Sequence, residues 1–308
     1  GSYNTFIGEQ AGYGGTTSAP FSSGERNTAI GYAALTGFTT GIKNTALGSY
    51  AGDALTSGLA NIFIGDSAGT ATTDVDKAVI IGANAGLGNM TSDADGTVAI
   101  GYYAGGAITS GGSNTAIGYE AMKVHTTGHS NLAIGYGAMD DTDAGSTSLD
   151  SDHNVFIGLN SGGGTWADAA SNENVGIGNY TLDAAMNGAL GNVSIGHSAL
   201  SAITDGDYNV AIGRQALKEN VGGDYNTGVG LNAGTNIGHG TSNTQYSTVI
   251  GSDAGEYATG SYNTFVGAKA GEGGITSAPF NSGQNNTAIG YQALTAFTTG
   301  NYNVALGE

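Results

Sequence analysis

A chain of 308 residues with 57 glycines and two prolines is neither collagen-like nor disordered, because glycine follows no three-residue period and the 39% of hydrophobic residues arrive at regular spacing. Seven basic against 25 acidic residues give a net charge of -18, which repels phosphate backbones and anionic lipid and argues against nucleic-acid or membrane-surface binding. With no cysteine there is no disulfide framework, thiolate metal site or cysteine nucleophile, and apolar stretches such as Ala78 to Ala83 fall far short of the roughly 18 residues a membrane helix needs.

One phrase, N-x-x-[IVL]-G-x-x-A-[GL], recurs from end to end. Its central glycine falls in chain order at Gly8, Gly31, Gly48, Gly65, Gly82, Gly101, Gly118, Gly135, Gly158, Gly178, Gly196, Gly213, Gly230, Gly251, Gly267, Gly290 and Gly307, giving 17 copies. Eight of the 16 intervals are 17 residues long and three are 23, so the unit accepts inserts without losing phase, as one coil of a solenoid does. The residue before the glycine is always aliphatic, and the residue three before it is Thr, Val, Ile or Leu, which predicts a short strand in each copy. The whole of residues 1–308 therefore reads as one all-β array, a parallel β-solenoid of 17 coils; stacked at about 4.8 Å, these would extend about 80 Å.

In the copy Asn27 to Leu35, side chains alternate between a face with Thr28 and Ile30 and a face with Ala29 and Gly31, and neither is charged. Both faces are expected to be buried, one in the coil and the other against a neighbour. The small residues Ala29, Ala46, Ala99, Ala116, Ala133, Ala211 and Ala288 mark the second face as the candidate contact between chains, with another copy of the chain as the neighbour. The first position is Asn in 14 of 17 copies, replaced only at Ala78, Thr97 and Ser247; it suits a left-handed corner and can form an amide ladder along the stack. Ala three residues after the glycine, followed by Gly, Leu or Met, predicts a second tight corner, and Thr39-Thr40-Gly41 or Thr126-Thr127-Gly128 reads as an outward turn.

The long coils place their extra residues in that outward gap, where loops would project from one side and carry any binding. Candidate contact residues there are Pro20 and Phe21, Trp166 in a glycine-rich run, and Pro279 and Phe280. Residues 1–49 and 260–308 agree at 35 of 49 positions without gaps, so a longer repeat overlies the short one and the chain is expected to be a segment of a longer fibre.

The phrase resembles the head repeats of YadA-like trimeric autotransporter adhesins, carried here by Asn209-Val210-Ala211-Ile212-Gly213 and Thr97-Val98-Ala99-Ile100-Gly101. It is equally similar to the N-T-A-I-G-Y-x-A-L arrays of bacteriophage tail fibres and large bacterial surface proteins, matched at Asn27 to Leu35, Asn114 to Ala121 and Asn286 to Leu294. The resemblance implies a left-handed β-roll, three chains about one axis, an extracellular setting on a virion tail or bacterial cell surface, and a glycan or protein receptor as partner. The coils are longer than in adhesin heads, and no anchor or coiled-coil stalk lies within these residues.

Catalytic or metal chemistry finds little support. His125 and His129 are four apart but fall where no helix is expected, and read as solvated turn residues. Acidic turns such as Asp74-Val75-Asp76, Asp140-Asp141-Thr142-Asp143 and Asp205-Gly206-Asp207 could ligate calcium, yet none completes a helix-flanked calcium loop, and Asx turns facing water explain them as well. A hexapeptide-type trimeric acyltransferase would need its motif three times per coil rather than once, and an ice-binding solenoid would need a regular threonine array at constant coil length. The expectation is a structural and adhesive fibre that is not an enzyme and holds no cofactor.

Overall fold

A computed structural model describes residues 1–14, 22–142, 150–167, 169–239, 243–274 and 281–308. The chain forms two compact units, Gly1–Asn154 and Val155–Glu308. Among the described residues, the first unit carries strands Thr5–Ile7, Thr28–Ile30, Thr45–Leu47, Ile62–Ile64, Val79–Ile81, Val98–Ile100, Thr115–Ile117 and Leu132–Ile134, each paired in parallel with the next. The second carries Val155–Ile157, Val175–Ile177, Val193–Ile195, Val210–Ile212, Thr227–Val229, Thr248–Ile250, Thr264–Val266, Thr287–Ile289 and Val304–Leu306, paired in the same way. Each unit is a parallel β-solenoid whose typical coil is 17 residues, and equivalent residues face each other in register, as Thr28, Ala29 and Ile30 do Thr45, Ala46 and Leu47.

The coils turn at three left-handed positions that mostly hold residues other than glycine. In the coil around Gly48 these are Lys43 (φ 61°), Tyr50 (φ 54°) and Gly52 (φ 56°). The first corner thus falls on the residue before the ladder asparagine and not on the asparagine itself. The central glycine is a fourth special position: Gly118 has φ 139°, outside the range of side chains with a Cβ, and a Cβ there would strike the carbonyl oxygen of Gly135 in the next coil.

The asparagines form the expected ladder, inside the coil. Asn44 Oδ1 accepts from the backbone N–H of Asn61 at 2.9 Å and from its Nδ2 at 3.0 Å, while Asn44 Nδ2 donates to Gly58 O at 2.7 Å. The same bonds repeat from Asn114 through Asn131 to Asn154 and from Asn174 through Asn192 and Asn209 to Asn226. Thr97 breaks the series by turning its hydroxyl back to Ala94 O at 2.7 Å.

The strands turn their middle residue inward, which corrects the expected contact face. Ala29, Ala46, Ala99, Ala116, Ala133, Ala211 and Ala288 are fully buried inside their own coils, and the outer two residues of each strand face outward. The alternation itself is as expected, but the small column is the lining of a narrow core.

That width explains which residues share a coil. Where the middle strand residue is Phe63, Phe156 or Phe265, the corner six residues later is Gly69, Gly162 or Gly271, and a Cβ at any of these glycines would run into that ring. Where the middle residue is Ala29, Ala116 or Ala133, the corner is Leu35, Met122 or Met139, fully buried and held at φ 51–52°. The bulky residue accepts a left-handed backbone because it fills the level. Replacing Phe63 by Ala should cost about 3–5 kcal/mol, and Gly69→Leu alone should destabilise by overpacking. Together they recreate the Ala29/Leu35 pattern, so urea unfolding of the double variant should recover at least half of the Phe63→Ala loss; simple additivity would contradict a shared volume.

Candidate functional surface

Outward columns follow from the strand geometry. The first and third residues of each strand, Thr or an aliphatic residue followed by Ile, Leu or Val, stack on their equivalents in the next coil, and no charged residue occupies either column in any copy. These side chains are in partial contact with water even in the middle of a unit: Leu47 is 45% exposed, and Ile62, Ile212 and Ile250 are comparable. A ribbon of this kind exceeds the scattered apolar exposure usual in soluble monomers.

Tyrosines flank the ribbon. Two residues beyond the strands lie Tyr102, Tyr119 and Tyr136, whose rings stack at 5.2 and 4.9 Å. Two residues before the strands lie Tyr208, Tyr225, Tyr246 and Tyr262, stacked at 5.4, 5.0 and 5.5 Å.

The charge lies off the ribbon. Carboxylates two residues before the ladder position accept backbone N–H groups from the preceding coil: Asp76 Oδ1 from Leu59 at 2.7 Å, Asp95 Oδ1 from Asp76 at 2.7 Å, Asp207 Oδ1 from Leu190 at 2.8 Å and Asp224 Oδ1 from Asp207 at 2.9 Å. The bonds run between coils and not within a turn, so these acidic residues support the stack. Among the described residues no group of three or more His, Cys, Asp or Glu side chains could hold a metal ion, and no helix is long and apolar enough to cross a membrane.

Trp166 is removed from the contact candidates by its position. It is fully buried, its Nε1 donates to Gly162 O at 3.2 Å, and its ring meets Phe156 edge-on at 5.9 Å. Pro20, Phe21, Pro279 and Phe280 lie outside the described residues. His125 is likewise not a solvated turn residue. It is fully buried at the core position filled by Phe38, Leu55 and Ile108 in other coils, with Nε2 3.0 Å from Gly128 O and Nδ1 3.0 Å from the Thr142 hydroxyl. His129 is exposed, its Nδ1 accepting from Gly112 N–H at 3.0 Å, so one ring is inside the coil and the other outside.

Two half-buried carboxylates stand apart. Asp53 and Asp140 each have an Oδ1 with no hydrogen-bond partner among the described residues. Burial pushes the Asp140 carboxyl up from its ordinary 3.8 to about 6, with nearby Asp141 and Glu120 adding to the shift and Lys123 opposing it; burial raises Asp53 as well. A folded-state value above the unfolded one favours the folded chain in acid, and that contribution is lost as pH rises from about 4 through about 6. Asp140→Asn should therefore raise the unfolding midpoint at pH 8 and leave it unchanged at pH 3; an equal shift at both would point to packing instead.

The chain matches no protein-family model, and no curated protein matches it significantly.

Proposed function

We propose that this chain forms the shaft of an extracellular fibre, in which three copies pack through the outward ribbon of Thr, Val, Ile and Leu columns and surface loops carry receptor or lateral contacts. The observation that carries this reading is the uncharged, regularly stacked, partly exposed ribbon on a chain of net charge -18. Copies so acidic can approach closely only along a face without charge. A second copy also matches the ribbon best, because its coils have the same spacing and place a side chain at every level. The number three, the left-handed winding and the extracellular setting come from the resemblance to adhesin heads and tail-fibre arrays.

A second reading, ice binding, draws on the in-register column Thr227, Thr248, Thr264 and Thr287. In the first unit that column is broken by Ile62, Val79, Val98 and Leu132, which favours packing over an ordered water array.

Sedimentation equilibrium should return a particle of three 30.3-kDa chains. Placing lysine in the ribbon by Ile100→Lys with Ile117→Lys should dissociate the particle into monomers that keep their β-sheet circular dichroism. A stable soluble monomer from the unaltered chain would overturn the reading, and thermal hysteresis in such a monomer would favour ice binding.

A further inference from the structure

The tyrosine columns are ordered more tightly than surface side chains need to be. Tyr208, Tyr225, Tyr246 and Tyr262 each precede a ladder residue, with φ between 53° and 61°. Their backbones are tied coil to coil, Tyr225 N–H to Asp207 O at 2.9 Å and Tyr262 N–H to Gln245 O at 2.9 Å. Their rings are nearly parallel, at interplanar angles of 16°, 3° and 12°, and they are between 44% and 51% exposed. Tyr102, Tyr119 and Tyr136 form the second column, at 21° and 6°. Tyr3 and Tyr302 are more exposed but stack on no aromatic ring among the described residues.

We propose that these two columns are sites of oxidative cross-linking, at which neighbouring tyrosines of one chain join as dityrosine and strap successive coils together. The oxidant is hydrogen peroxide acting through a haem peroxidase. Each of two stacked phenols loses one electron to the peroxidase and its hydroxyl proton to water, giving two phenoxyl radicals. Their Cε atoms form a carbon–carbon bond, and the hydrogen on each of those carbons moves to the ring oxygen, restoring two phenols. In balance, two tyrosines and one hydrogen peroxide give one dityrosine and two waters. Stacking supplies the partner, since a radical in the column has a second ring about 5 Å away, while two rings on different molecules must first meet. Half-exposed rings are open to the peroxidase and have room to swing out of the stack as the bond forms. The inference does not depend on how many chains assemble.

The purified protein, treated with hydrogen peroxide and a haem peroxidase, is digested and its peptides weighed. The expected products join residues 208 to 225, 225 to 246, 246 to 262, 102 to 119 and 119 to 136 with the loss of two hydrogens each. On a denaturing gel the oxidised chain should still run as a monomer, and it should unfold at higher urea than the untreated protein. Tyr225→Phe keeps a ring in the stack but has no phenol to oxidise, so it should abolish both links to residue 225 and retain the link between 246 and 262. Absence of dityrosine, links mainly between chains, or links distributed by exposure and led by Tyr3 and Tyr302 would overturn the proposal.

Discussion

The amide ladder is the interaction on which the rest of this structure depends. A three-residue strand has too few backbone bonds to hold its register alone, and each buried asparagine adds bonds at the point where the strand begins. Its Oδ1 fixes the N–H of the following coil and its Nδ2 closes a turn carbonyl, as Asn27 does for Asn44 and Gly41. A buried donor or acceptor left without a partner costs about 1–3 kcal/mol, so every rung weighs heavily against marginal stability. The gap at Ala78 and Thr97 is bridged in part, because the Ala78 N–H still takes Asn61 Oδ1 at 2.8 Å. The close passage of central glycines, the stacked tyrosines and the straight aliphatic columns all require the spacing that this ladder sets.

The interior of the coils is closely filled. Large side chains fill the levels, from the strand in coils with Phe63 or Phe265 and from the corner in coils with Leu35 or Met122, with a further buried side chain such as Phe38, Leu55 or Trp166 closing many of them. Polar groups that enter the core serve the stack, as His125 does with Thr142 and Gly128. The outer columns, the corners and the turns are where substitutions cost little packing.

Much of this was legible in the phrase. The glycine positions define the coils, the Ala-[GL] pair predicts the second corner, and the asparagines predict the ladder. The strand faces were not, because Thr28/Ile30 and Ala29 are all acceptable inside a protein and a two-residue period does not say which side is in. A finer signal exists: the middle position ranges from Gly176 to Phe156, and its large members pair with glycine six residues on, a compensation that only a closed volume demands. The outer positions show no such coupling. Trp166 was not legible either: it lies eight residues after Gly158, one beyond the core position that Phe38, Leu55 and Ile108 hold seven residues after their glycines.

The central claim is that the outer columns of each strand, and not its middle residue, are where chains meet. The absence of native cysteine makes a direct test clean, with a single cysteine placed at Ile117 or at its neighbour Ala116 and the assembled protein oxidised mildly. Ile117→Cys should give disulfide-linked dimers on a denaturing gel, and Ala116→Cys, enclosed in its own coil, should give none. Dimers from Ala116→Cys alone, or from neither variant, would contradict the assignment of the face.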